Sequence, residues 1–376
     1  MFTILIAPDK FKGTLSASEA ADIIAAGLSP LGAEIITRPM ADGGEGTSET
    51  IARVIGMETG RIAACNSAMG PIPGGAIYRF DKATRTAAID SSAVVGLGLL
   101  QSDALSPMSR TSYPLGETLL SIIRKDAPTL LYIGVGGTST VDGGAGFLQA
   151  LGYRFFNGDN ELPHPVTAAM LTSVTRILPP EQTPALPSII ALSDVATPLV
   201  APEGQPSSLT FAAQKGATMT DISTLRHSLA HLSTLLPSTG SPYDGAGGGL
   251  GFALAQIGAK VVAGAPYLLR LMDIPSLHPD IIITGEGSLD AQTSMGKVVA
   301  TLARYGAANV ISVIAVGGRV TPDFHLPELS ATFSTQLYPP QGCLNYCTAS
   351  SRLAHASRDI YLWIKKQGYG LKAGSN

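Results

Sequence analysis

The chain is short of charge and of cysteine. Only 14% of its 376 residues are Asp, Glu, Lys or Arg, and the formal net charge is -3. With no run of Lys or Arg, the basic footprint of a nucleic-acid-binding protein is excluded. No apolar run reaches the roughly 18 residues of a membrane span. The opening Met1-Phe2-Thr3-Ile4 lacks a basic region and reads as a short strand, not a signal peptide. Cys65, Cys343 and Cys347 cannot all pair within one chain and read as reduced thiols of a cytoplasmic protein. Cys343 and Cys347 lack the second ligand pair of a structural zinc site. His227 and His231 fall together on the polar side of a helix spanning 221–236 and read as solvated; the other histidines are scattered, which removes histidine triads and zinc triads. No Gly-x-Gly-x-x-Gly follows a strand. The nearest approach to a P-loop, Ala291 to Val298, lacks its first Gly and the Ser/Thr after Lys297.

Against these absences, 45% of the residues are hydrophobic, which provides for a large core and argues against long disordered tails. Four times an apolar strand runs into a loop crowded with Gly and carboxylates. Thr3 to Ala7 leads into Asp9-Lys10-Phe11-Lys12-Gly13, and Ile35 to Thr37 leads into Asp42-Gly43-Gly44-Glu45. Leu130 to Ile133 leads into Gly134-Val135-Gly136-Gly137-Thr138-Ser139-Thr140-Val141-Asp142, and Ile281 to Ile283 leads into Thr284-Gly285-Glu286-Gly287-Ser288-Leu289-Asp290. Each loop opens a helix, and the first helix starts with a capping box, Ser16 to Glu19. Strand–loop–helix units of this kind predict a parallel sheet whose loops share one edge, where open α/β sheets bind ligands.

The expected fold class is α/β with two α/β domains. A Rossmann- or flavodoxin-like parallel-sheet domain comprises 1–57, 111–152 and 271–376. A second, mixed α/β domain comprises 58–110 and 153–270, inserted discontinuously; its short β segments include Arg85 to Asp90, and its later part is rich in Pro, Ser and Thr. Lys12, Asp42, Glu45, Asp142, Glu286, Asp290 and Lys297 all fall on the predicted loop edge. So many carboxylates repel one another unless a cation joins them. Magnesium with one or two carboxylates, water and phosphate oxygens meets that need, and phosphoryl transfer uses such an arrangement. The plain alternative is that several of these carboxylates only cap helices.

The motifs resemble one family. Ala7-Pro8-Asp9-Lys10-Phe11-Lys12-Gly13-Thr14-Leu15-Ser16-Ala17, Ala41 to Thr47 and Gly134 to Gly146 are similar to signatures of the bacterial glycerate kinases. So are Ser193 to Leu199, Gln214-Lys215-Gly216-Ala217, Asp244 to Gly251 and Thr284 to Thr293. The resemblance covers nearly the whole chain in order. It implies phosphorylation of D-glycerate with ATP and Mg2+ to 2-phosphoglycerate, in a cleft between two α/β domains. It also implies glycerate and ATP as the small-molecule partners, with no nucleic acid and no membrane, and leaves room for a homodimer. The sequence departs from the family pattern at Ser288, where Arg is usual, at Met295, where His is usual, and at Val141, Thr197 and Ala212-Ala213. The Ser288 change removes a residue suited to bidentate pairing with carboxylate or phosphate.

On this resemblance Asp194 is the expected base for the glycerate hydroxyl, and Lys12, Lys215 and Lys297 are the cations that meet the phosphate. Glu286 and Asp290, then Asp42, Glu45 and Asp142, are the expected metal ligands. Asp9, Lys10, Gly13, Gly43, Gly44, Gly136, Gly137, Thr138, Ser139, Gly247, Gly248, Ser288 and Gln292 are the expected substrate and nucleotide contacts. Two other readings fit the same residues: a kinase for another small hydroxy acid, and a two-lobed binding protein for a small anion.

Overall fold

The computed structural model describes residues 2–100, 105–182, 184–237, 239–337 and 348–369; Cys343 and Cys347 lie outside the described residues. The chain divides into two compact units, Met1–Asp42 with Ala265–Asn376, and Gly43–Gly264.

The first unit is built on a five-stranded parallel sheet in the spatial order Ala331–Ser334, Ser312–Val320, Ile281–Leu289, Thr3–Ile6, Glu34–Thr37. Ile4, Leu5, Ile6, Ile281, Ile282, Ile283 and Val313 to Val316 are all fully buried. Strands covered on both faces need unbroken apolar runs, which is why they carry no polar alternation. Numbered within the unit, the strands follow the flavodoxin-like order 2-1-3-4-5, and the winding reverses between Thr3–Ile6 and Ile281–Leu289. Ligands of such sheets bind at the carboxyl ends of the strands at this reversal. The helix Ala17–Leu28 starts with the expected capping box: Ser16 accepts from the Glu19 amide, and Glu19 accepts from the Ser16 amide at 2.8 Å. The helix Ala349–Lys366 packs against it through Leu353, Ala356, Ile360 and Ile364. A Cβ on Gly27 would come within 2.5 Å of Ser357, so glycine sets the closeness of that crossing. Trp363 is half-buried and stacks on Tyr369.

The second unit contains a six-stranded sheet in the order Lys260–Ala263, Ser188–Ser193, Leu130–Gly134, Thr86–Asp90, Ala76–Asp81, Glu58–Ile62. The first four strands are parallel and the last two antiparallel. A small antiparallel sheet joins Asn160–Glu161, Arg154–Asn157 and Arg176–Leu178. Among the described residues no helix is long and apolar enough to cross a membrane.

Three expectations need correction. Leu130–Gly134 pairs with Thr86–Asp90 and Ser188–Ser193, so 111–152 belongs to the second unit, as does 43–57 with Glu45, and that unit is one continuous insertion. A short apolar strand carries no local mark of which sheet it will join. The four loops therefore do not share one sheet edge. The fourth loop is also not a loop from Thr284 onward: the strand runs to Leu289, with Glu286 and Ser288 paired to Gly317 and Arg319.

Candidate active-site clusters

In the first unit the acidic residues gather at the winding reversal. Thr3–Ile6 continues its ladder past its end, with the Asp9 amide donating to the Gly285 carbonyl at 2.8 Å. This places Asp9 beside the strand that carries Glu286. Asp9 is buried and accepts from the Lys10 amide at 2.7 Å. Burial, with Asp42 next to it, holds its carboxyl well above the ordinary range. Glu286 is also buried, and burial pushes its pKa up to about 7 against the pull of Lys297; Asp42 and Asp290 add to the rise. Lys297 Nζ stands 3.8 Å from Glu286 Oε2, while Glu286 Oε1 is buried with no hydrogen-bond partner among the described residues.

Asp290 is engaged with its own turn, accepting from Ser288 Oγ at 3.0 Å and from the Gln292 amide at 2.9 Å. Asp42, Lys10 and Gln292 are half-buried, and Lys12 is exposed. Gly13 has φ +79 with open space around it. The start of the Ala17–Leu28 helix is partly filled by the Glu19 carboxylate, which accepts from the Ser16 amide and hydroxyl.

Among the described residues no three His, Cys, Asp or Glu side chains converge to hold a metal. The donor set still suits magnesium, which prefers one or two carboxylates and takes its other oxygens from water and phosphate. The unpartnered Glu286 oxygen, with Asp42 and Asp290 as neighbouring charges, is where such an ion fits. Glu286→Gln tests this electrostatic reading. A carboxyl raised from 4.5 to about 7 on folding stabilises the protein below pH 4.5, and that stability is lost as pH rises through 7. In the absence of divalent cation the variant should therefore melt several degrees above wild type at pH 8, with the gap closing at pH 5. At a fixed nucleotide concentration, added magnesium should raise the wild-type melting temperature at pH 8 more than it raises that of the variant. Equal melting curves at both pH values would contradict the account.

In the second unit Asp194 directly follows the strand Ser188–Ser193 and is half-buried. Backbone crowds around it. A Cβ on Gly136 would lie 2.5 Å from Asp194 Oδ2, and one on Gly43 would lie 2.6 Å from the Ser193 carbonyl carbon. Gly136 donates its amide to the Gly43 carbonyl at 3.2 Å, and Gly44 lies against Gly136. Lys215 is 8% exposed, and its ammonium donates to Thr138 Oγ1 at 3.1 Å and to the Thr140 carbonyl at 2.8 Å. Burial lowers its pKa to about 8, with Asp194 and Asp142 opposing that drop.

The glycine-rich loops serve packing more than the sequence suggested. Gly247, Gly248 and Gly249 are all left-handed, with φ of 62, 72 and 94. A Cβ on Gly248 would sit 2.0 Å from the Thr140 carbonyl oxygen, and the Gly143 amide donates to the Gly248 carbonyl at 3.1 Å. The 134–144 and 245–251 loops are thus joined backbone to backbone over Lys215. Ser139 is fully buried and bonded to Val95 and Ser67, which makes it a loop anchor. Gly137 is left-handed and lies against Ser92, with Glu45 exposed nearby.

Asp142 is corrected from the metal set. It is 1% exposed, and its oxygens accept from Ser112 Oγ and from the amides of Ser112, Gly144 and Gly146. That is a carboxylate holding a loop to a helix start. His227 and His231 do not form a metal pair: their ring nitrogens meet the Ser223 and Val174 carbonyls.

Two residues that sequence reasoning missed organise this cluster. Asp90, at the end of Thr86–Asp90, accepts from the Gly46 and Ser48 amides at 2.8 Å each and so caps the helix Thr47–Ile55. Arg110 donates to the Ser139 and Lys215 carbonyls. Both act across dozens of residues, so no local motif announces them. In the first unit Arg319 was also passed over, although it is the register neighbour of Ser288.

Comparison with known proteins bears on the family and the fold. Residues 4–365 match the Glycerate kinase family. The chain is 34% identical over 335 residues to a glycerate kinase of Bacillus subtilis, covering 85% of this chain and 86% of that protein. It is 33% identical over 354 residues to a glycerate 2-kinase of Escherichia coli, covering 88% and 90%. A crystal structure described as a "putative glycerate kinase 2" from Salmonella typhimurium LT2 superposes with TM-score 0.77 at 28% identity, covering 99% of this chain and 100% of that one.

Proposed function

Because the chain belongs to the glycerate kinase family, and is thereby a phosphotransferase, we propose that it transfers the terminal phosphoryl group of ATP to the 2-hydroxyl of D-glycerate, giving 2-phospho-D-glycerate and ADP. The choice of the 2-hydroxyl follows the Escherichia coli relative. The observation that supports the chemistry best lies in the second unit: a carboxylate at a strand end, Asp194, beside the buried ammonium of Lys215. Phosphoryl transfer asks the protein for positioning, charge neutralisation and an acceptor for the hydroxyl proton.

In this reading Asp194 accepts the proton of the attacking hydroxyl as the new O–P bond forms and the bond to the ADP oxygen breaks; the proton then passes to solvent. Lys215 meets the negative charge on the transferring group. Lys12 and Lys297, with Lys10, serve the nucleotide phosphates. Glu286, with Asp42 or Asp290, holds magnesium, which neutralises phosphate charge when bound. The Gly136–Thr138 and Gly247–Gly248 turns hold the backbone packed around Lys215.

ADP release measured over a panel of hydroxy acids tests the substrate. D-glycerate should exceed lactate and glycolate in kcat/KM by about 100-fold or more, because each lacks a polar group the site would pair. If glycerate turned over no faster than lactate, the substrate assignment would fail and Ser288 would mark a kinase for another hydroxy acid.

A further inference from the structure

Lys215 is held from two directions. Its ammonium takes Thr138 Oγ1 and the Thr140 carbonyl. The carbonyl between them in the chain, that of Ser139, accepts from Arg110 Nη1 at 3.2 Å. The same nitrogen donates to the carbonyl of Lys215 itself at 2.8 Å, and Arg110 Nε is anchored on the Leu105 carbonyl at 2.8 Å. Residues 138, 139 and 140 are therefore gripped in turn by lysine, arginine and lysine, and the arginine also grips the lysine's backbone. The next two residues continue the hold. The Thr111 amide donates to the Ser67 carbonyl, and Ser112 donates to Asp142.

Arg110 is 5% exposed and forms no salt bridge among the described residues. Burying a guanidinium against carbonyls alone, with no carboxylate to pair it, is expensive. A rigid fork of donors does what an apolar chain cannot: it fixes several carbonyls at once.

We propose that Arg110 is a positioning residue for phosphoryl transfer, fixing the Lys215 backbone and the Thr138–Thr140 turn so that the Lys215 ammonium is presented in one place. This rests on the function proposed above. The charged groups that face Lys215 are Asp194 and Asp142, which favour its protonated form, and Arg110, which opposes it.

The test compares Arg110→Met and Arg110→Lys with wild type. Arg110→Met should lower kcat by about 10- to 100-fold, with KM for ATP and glycerate within about threefold, as expected for a misplaced catalytic group. Its Lys215 should also titrate at higher pH than in wild type, because the opposing charge is gone. Arg110→Lys should keep the wild-type titration while losing about fivefold or more in kcat, because it keeps the charge but not the fork. Lys215 is followed by NMR of 13C-labelled lysine, which needs no turnover. Failure of the function reading, seen as a wild type that does not phosphorylate glycerate, is thus separate from failure of the Arg110 assignment. Wild-type kcat in either variant, or an unchanged Lys215 titration in Arg110→Met, would overturn the proposal. If Arg110→Met does not fold, the kcat of Arg110→Lys decides alone.

Discussion

Asp194→Asn should retain the fold and lose about 10³-fold in kcat, with KM for glycerate within a few-fold of wild type. General-base catalysis typically contributes 10² to 10⁴-fold, and an amide cannot take the proton. The substitution is close in shape. That matters because a Cβ on Gly136 would already lie 2.5 Å from Asp194 Oδ2, leaving no room for a larger group. Asp194 is half-buried at the end of a fully paired strand, so its loss should not unravel the sheet. Steady-state kinetics with a melting curve on the same preparation checks the claim. Full kcat in a folded variant would remove Asp194 from the base role.

Lys215→Met should be nearly inactive and no less stable than wild type at pH 7. Removing one preorganised donor to transition-state charge costs roughly 10² to 10³-fold in kcat. Stability moves the other way. The Lys215 pKa falls from 10.5 to about 8 on folding, which corresponds to on the order of 3 kcal/mol. For a group whose pKa is depressed by folding, the stabilising contribution is full above pH 10.5 and lost as pH falls through about 8. At pH 7 the wild type therefore bears the whole cost of burying the ammonium, and methionine relieves it. The relief is partly offset because the Thr138 hydroxyl and the Thr140 carbonyl lose their donor, about 1 to 3 kcal/mol. The advantage of the variant should be greatest below pH 8 and shrink as pH rises toward 10. Wild-type kcat should itself fall as pH passes through about 8 if the charged ammonium is the working form. Denaturant melts at several pH values, set beside kcat, separate the two effects. A variant that is inactive only because it is unfolded would contradict this account.

The legible parts of the chain were those whose signals are local. The Ser16–Glu19 capping box is a four-residue pattern, and it forms as read. The strand–loop–helix units predicted a Rossmann- or flavodoxin-like parallel sheet, and the first unit forms one in the flavodoxin-like order. Sheet membership was not legible for Leu130–Gly134, since pairing with Ser188–Ser193 is decided far along the chain. The packing role of the glycines was hidden for a related reason. Gly43, Gly136 and Gly248 are where backbone meets backbone, and a sequence does not show which distant segment will press against a glycine. Asp142 and Glu286 looked alike in the sequence, but the first has its oxygens filled by Ser112, Gly144 and Gly146, whereas the second keeps one oxygen buried and unpartnered. Arg110 and Asp90 carried no motif, because their partners lie up to 105 and 44 residues away.

The most direct measurement is phosphorus NMR of the product formed by purified protein with ATP, magnesium and D-glycerate. The account predicts ATP consumption matched by a new phosphomonoester whose phosphorus couples to the single proton on carbon 2. Coupling to the two protons on carbon 3, or ATP left unconsumed by an enzyme that is folded, would contradict it.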